Sequence, residues 1–373
     1  MPLKSDGTKP WRLLMLSGGV AVCAAIAFVT YVHLIATGNT GLSQPAHSFT
    51  SISPPPPISE GIGGVSTCSV SVSEYGASTS ASNNAAAFQA AIDAGEGGTV
   101  CIPAGTWKVT SQIIVPAAET LTGAGSNRTT LLQTVTGHNL LQVKGQGTVV
   151  EGLTLDTQTH DGGVAFSTGA SHVTLRNAQV RGGNQPGHFA IYFAGPRGAT
   201  VADPHFSTGN ILENVVVNDQ ICDDGVSWSF QTDGTINNVH ETGSRLALYV
   251  DNGTTVDGYQ YTPGPCKAQD YGYWITPPSQ NITLNGFFSS GAAGKICPNT
   301  SLAHGCSNIT VDGERAPRGT LQIGDVTSLR VLDSTVGEVV ITTATGATGT
   351  WTSSRPLSAR CKGTPVKIVG LLC

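Results

Sequence analysis

Two short stretches of this chain gather side chains able to move protons. QICDDGVSW at 220–228 sets Asp223 beside Asp224, and ADPHF at 202–206 sets Asp203 two places before His205. Carboxyl groups held close together shift one another's titration, so that one keeps its proton while the other stays ionised. That division of labour suits acid–base chemistry on a glycosidic bond. Hydrolysis with inversion uses two carboxyl groups roughly 6.5–9.5 Å apart, one protonated and one ionised. Asp223 and Asp224 would alternate faces on a strand, so a third acid, Asp270 or Asp203, is expected to complete such a set.

The elements that must carry these residues are legible as a repeat. HVTLRNAQV (172–180), NILENVVV (210–217), TINNV (235–239), NITLNGFF (281–288) and SLRVLDSTV (328–336) share one pattern of alternating apolar residues broken by a small or polar turn position. The aliphatic residue before that turn falls at Val150, Leu175, Leu212, Ile236, Leu284, Val311 and Val331. The steps are 25, 37, 24, 48, 27 and 20 residues, most of them one unit and one of them two. Asn177, Asn214 and Asn238 share the turn, with Asp333 in the later unit. A repeat of this length without helices is a strand-built solenoid, each coil burying its face on the next.

A second strand column lies between these: VAF (164–166), IYF (191–193), VSW (226–228), LAL (246–248), YWI (273–275) and LQI (321–323). Its outward positions are Ala165, Tyr192, Ser227, Ala247, Trp274 and Gln322, and three places before the first inward residue of the first five strands stand Asp161, His188, Asp223, Gly243 and Asp270. The expected fold is all-β, a right-handed parallel β-helix. Its N-terminal capping helix is expected over Asn83–Ala94, opened by Ser82, closed by Gly95 and burying Phe88, Ala91 and Ile92. The expected groove has His188, Asp223, Asp224 and Asp270 at its edge and Tyr192, Trp274 and Arg245 as sugar-binding groups. Asp203 and His205 stand on a neighbouring loop.

SEYGASTSASNNAAAFQAAIDAGEGGTVCIPAGTWKV (73–109) resembles the N-terminal signature of the pectin-lyase-like β-helix proteins of the pectate lyase and rhamnogalacturonase group. The resemblance covers roughly 67–340 and implies that the helix caps the solenoid and that an asparagine ladder lines one turn. QICDDGVSW is similar to the paired-aspartate segment of polygalacturonase-type hydrolases, which implies that Asp223 and Asp224 handle the leaving group and the water. That group's Gly-His-Gly and Arg-Ile-Lys are absent. ADPHF is similar to the Asp-Pro-His motif of alginate C5-epimerases, implying proton transfer at C5 by Asp203 and His205; the family's upstream Tyr is Thr200 here. The expected activity is therefore enzymatic, on an acidic, pectin-like polysaccharide, by carboxylate-based hydrolysis. The alternatives are a lyase or C5-epimerase using Asp203 and His205, and a non-catalytic carbohydrate-binding surface protein.

Composition bounds the rest. The chain has 373 residues, 12% charged and 6% aromatic, with net charge −5, which leaves no basic footprint for nucleic acid. No cofactor is expected. A Ca2+ ion at Asp223, Asp224 and Asp270 is chemically admissible because hard cations take carboxylate oxygens. Nothing specifies an oligomer, and a monomer is the simplest expectation. Of nine cysteines, eight follow residue 60 and read as up to four disulfides, with Cys297–Cys306 and Cys361–Cys373 the shortest loops.

Residues 13–36 hold no Asp, Glu, Lys or Arg, and Lys4, Lys9 and Arg12 precede them. This predicts a cytoplasmic segment 1–12, a transmembrane signal anchor 13–36, a Ser/Pro-rich spacer 37–66 with Pro54 to Pro57 in a row, and the β-helix domain 67–373 outside the cytoplasm. The expected location is thus the cell membrane, single-pass, or secretion after cleavage.

Overall fold

A computed structural model describes residues 67–160, 162–166, 169–183, 189–219, 223–264, 271–298, 305–353, 356, 358–363 and 366–372. The chain winds as a parallel β-helix in which the described strands pair in parallel with their counterparts one coil away. The aliphatic file expected from the repeat is continuous. Leu121, Val150, Leu175, Leu212, Ile236, Val256, Leu284, Val311, Val331 and Trp351 pair in succession. None is more than 3% exposed. Val256 supplies the unit hidden in the 48-residue step. Each such side chain removed from water is worth roughly 1.5–3 kcal/mol, so stacking coil on coil is what holds the solenoid together.

From Gly152 to Asp333 the residue two places after this file is left-handed in each coil. Asn177, Asn214 and Asn238 supply it at φ 49°, 51° and 49°. Asn tolerates this region better than other L-residues because its short amide bonds locally. Asn214 Nδ2 donates to Asn177 Oδ1 at 3.2 Å and Asn238 Nδ2 to Asn214 Oδ1 at 2.7 Å. A second ladder, not anticipated, runs from Asn308 to Asn281 at 3.0 Å and from Asn281 to Asn252 at 2.9 Å.

The capping helix spans Ala85–Gly95 and buries Phe88, Ala91 and Ile92 as expected. It begins two residues later than its composition suggests, with Asn84, not Ser82, at the N-cap. The reason is tertiary. Asn83 Oδ1 accepts from the amides of Ala85 and Thr110, and the Asn84 side chain bridges Ser78 N and Lys108 O. Both asparagines are thereby committed to holding the helix onto the first coils. Cys68–Cys101 ties the chain entry to the first full coil, and Cys297–Cys306 is bonded as its spacing suggested. Cys361 is also oxidised; Cys222, Cys266 and Cys373 lie outside the described residues.

The expectation of a single-pass cell-membrane protein is corrected. Among the described residues no helix is long and apolar enough to cross a membrane. The capping helix has 11 residues where a span needs about 20. Segments 1–12, 13–36 and 37–66, on which the expectation rested, lie outside the described residues.

Candidate functional site

The second column carries the site. Ala165, Tyr192, Ser227, Ala247 and Trp274 pair in succession, as the repeat indicated, and the file then continues through Lys295 to Gln322. The coil holding Lys295 was missed in the sequence because its strand, Gly294–Ile296, replaces the first inward apolar residue by glycine. A Cβ at Gly294 would collide with the ring of Tyr273. Ser227 and Ala247 face outward yet are fully buried. The middle of the column is therefore covered by neighbouring side chains and is not an open floor.

What covers it follows from one irregularity. The register between Asp224–Ser229 and Arg245–Tyr249 slips, so that Asp224 pairs with Arg245 while Val226 pairs with Leu246. Gly225 is the extra residue. The slip, a β-bulge, aims Asp224 at Arg245. Arg245 Nε lies 2.6 Å from Asp224 Oδ1, an ion-pair distance at which the N–H is not aligned for a hydrogen bond. Arg245 Nη2 donates to Asp223 Oδ1 at 3.0 Å. The guanidinium also lies over the rings of Tyr271, 4.9 Å, and Trp274, 5.3 Å, and Lys295 Nζ sits 3.8 Å from the Tyr271 ring centre. Cations over aromatic faces are held by the ring quadrupole.

The two adjacent acids differ sharply in access. The side chain of Asp223 is 38% exposed and that of Asp224 1%. Burial pushes the Asp224 carboxyl up to about 6; Arg245 opposes the shift and the charge of Asp223 adds to it. Tyr249 donates its hydroxyl to Asp224 Oδ2 at 2.5 Å. Burial, then the Asp224 charge, holds that phenol far above its ordinary range, so it remains a donor. Arg245 loses by burial but gains more from Asp224 and its neighbours, and stays charged.

A second buried layer lies beneath. Ser244 donates to Asp219 Oδ1, and Tyr259 donates to Glu241 Oε2. All four side chains are at most 2% exposed. Glu241 and Asp219 were not singled out in the sequence, and neither were Tyr249 and Tyr271. They stand at strand ends whose adjacency appears only once the coils are stacked.

Asp203 and His205 sit elsewhere. They form an exposed pair at 3.4 Å, with side chains 78% and 59% accessible. Their loop leaves the end of Ile191–Phe193 and re-enters pairing where Ser207 meets Gln231. Asp203 precedes Asp224 by 21 residues, about the length of one coil, yet the register pairs Ile191 with Val226 and so does not set Asp203 over Asp224. Asp203–His205 thus follows the column strand while Asp223 precedes it. Asp161, His188 and Asp270 lie outside the described residues. Among the described residues, no three His, Cys, Asp or Glu side chains converge as a metal-binding group.

Residues 69–268, over half of the chain, match the model of the family described as rhamnogalacturonase A/epimerase, pectate lyase-like. The chain belongs to this family. Its fold is shared with the A-module of the Azotobacter vinelandii mannuronan C-5 epimerase AlgE4, at 15% identity and TM-score 0.51, covering 80% of this chain and 97% of that one. An alginate lyase from Paenibacillus sp. str. FPU-7 aligns at 16% identity and TM-score 0.50, covering 65% and 97%. The Dettilon tailspike protein gp208 aligns at 11% identity and TM-score 0.53, covering 76% and 61%. No curated protein sequence matches significantly.

Proposed function

We propose that this pectate lyase-like protein is an enzyme acting on an acidic polysaccharide in the groove over the second column, by removing the proton at C5 of a uronate residue. The observation that carries this reading is that Asp223 and Asp224 are both bound to one guanidinium, with one reaching solvent and the other sealed. Two carboxyl groups held in this way do not bracket a sugar from opposite faces, as inverting hydrolysis requires. One exposed carboxylate beside fixed cations suits a different reaction. Neutralising a uronate carboxylate makes the adjacent C5–H more acidic, and Lys295, on the outward file of this column, is the cation assigned to it. Asp223 takes the proton. Loss of the C4 oxygen substituent then gives an unsaturated uronate, whereas return of a proton to the other face gives the C5 epimer. Tyr192 and Trp274 offer faces for pyranose stacking. In this reading His205, past the far end of the column strand, donates a proton.

The names of two fold relatives, a mannuronan epimerase and an alginate lyase, agree with this chemistry. Carboxylate-based hydrolysis is the second reading, favoured by the Asp224 carboxyl titrating near 6, in the range of a general acid. The test is to digest a panel of polyuronates and neutral glycans while following unsaturated-uronate absorbance, C5 configuration and reducing ends. Unsaturated or epimerised product supports proton abstraction. New reducing ends without unsaturation support hydrolysis. Silence in all three, with folded protein that still binds glycan, leaves the non-catalytic binding protein as the answer.

A further inference from the structure

Beneath the Asp224–Arg245 pair lies an acid that the chemistry above does not use. Glu241 is 1% exposed, its Oε2 accepts from Tyr259, and its Oε1 has no hydrogen-bond partner. A carboxylate left this way would be costly to bury. A neutral carboxylic acid costs far less. Glu241 also touches the one residue on which the site's geometry depends: a Cβ at Gly225 would collide with Glu241 Oε1 and crowd Asp219 Oδ2. Gly225 is the extra residue of the bulge that aims Asp224 at Arg245. The floor under the bulge is thus made of two acid side chains, from the strands Ile211–Asp219 and Thr235–Gly243.

We propose that Glu241 is a positioning residue which, in its protonated form, props the Gly225 bulge, and whose ionisation draws Arg245 away from Asp224. The groups facing it are Asp219 from one neighbouring strand, Asp224 from the column strand, Arg245 from the next coil, and Tyr259 and Tyr261 from the strand region beyond. Asp223, Asp224 and Glu241 all feel one guanidinium, and Asp219 stands beside Glu241. A fully ionised set leaves them competing for it. Burial comes first, then the charge of Asp219, in lifting the Glu241 carboxyl well above its usual range. Burial thus favours the protonated form of this carboxyl.

Arg245 lies over Trp274, so its withdrawal is readable without any substrate. The full chain is titrated upward from neutral pH while indole emission is followed, with Trp274→Phe as the blank that isolates this indole. A transition is expected in the wild type and is expected to vanish in Glu241→Gln, which copies the neutral acid. Tyr259→Phe removes a bond that favours the ionised form, so its midpoint should rise, by about one pH unit. No transition in the wild type, or one unchanged in Glu241→Gln, overturns the proposal. If Glu241→Gln does not fold, an unmoved midpoint in Tyr259→Phe does so instead. The kinetic arm rests on the proposed activity: the alkaline fall of kcat/KM should move upward in Glu241→Gln while the acid limb stays. Absence of turnover in the wild type refutes the activity alone and leaves the emission result to decide this inference.

Discussion

Tyr249 and Asp224, 25 residues apart in sequence, meet across one coil, the phenol donating to Asp224 Oδ2 at 2.5 Å. This bond and the Arg245 guanidinium seal the carboxyl from solvent and make Asp224 a positioning residue. Asp223, its neighbour, is the one that faces outward.

The buried pair gives a pH-dependent stability difference. Arg245→Met leaves Asp224 buried without its cation, which costs about 3–5 kcal/mol where the carboxyl is ionised. The folded value of Asp224 is about 6, above the unfolded one, so the folded state takes up the proton as pH falls through that value. Removing Arg245 raises it further. Urea unfolding should therefore show the Arg245→Met penalty large at pH 8 and clearly smaller at pH 5. Asp224→Asn, already neutral, should show little difference between the two. Equal penalties at both pH values would contradict the assignment.

Access separates catalytic loss from structural loss. Asp223→Asn removes an exposed carboxylate, and His205→Ala removes an exposed imidazole. Both variants are expected to stay folded, His205→Ala with an unfolding free energy changed by less than about 0.5 kcal/mol. Each is also expected to lower turnover on the substrate identified above by roughly 100-fold, the scale of acid–base groups. Full activity in His205→Ala would remove that loop from the chemistry and leave Asp223 in place.

Two further acids set how the whole solenoid responds to pH. Burial pushes Asp251 up to about 8, with Thr254 and Asn252 bonds opposing it, and Glu314 up to about 8, with the Tyr273 bond opposing it. The folded state thus holds protons that the unfolded chain has already lost. The sign follows: stability from these groups is complete below the ordinary carboxylate range and is lost as pH rises to about 8. Thermal unfolding should show Tm falling from about pH 5 to pH 8, with a shallower slope in Asp251→Asn and in Glu314→Gln. A rising Tm over that interval would overturn the assignment.

The asparagine ladder can be split into its two contributions. Asn238→Ala removes the bond to Asn214 and places a Cβ residue at φ 49° without a local partner. The expected loss is about 1–3 kcal/mol by urea unfolding. Asn238→Gly should recover the backbone share, about 1 kcal/mol, and leave the bond's share missing. If both variants lose the same amount, the turn conformation is not what selects asparagine here.

Much of this protein was determined by short-range pattern. The period of the aliphatic positions, the asparagines in the turn and the apolar face of the helix each belong to a single segment, and each coil repeats the same solution. The parallel β-helix and its family followed from them, and so did the outward file Tyr192, Ser227, Trp274. Two misses in the pattern, Val256 and the Lys295 coil, came from units whose neighbouring strands depart from the consensus. The site belongs to another class of fact. That Asp223 is open and Asp224 closed depends on the Gly225 bulge. The bulge depends on Glu241 and Asp219, which sit in other strands 16 and 6 residues away. Arg245 looked available for a sugar until stacking set it between both acids and two aromatic rings. Asp203 looked one coil from Asp224 by count, but coil lengths vary with the loops, and only the hydrogen-bonded register says which residues lie over one another. Burial and pairing are properties of residues that meet across coils, and the chain order alone does not specify those meetings.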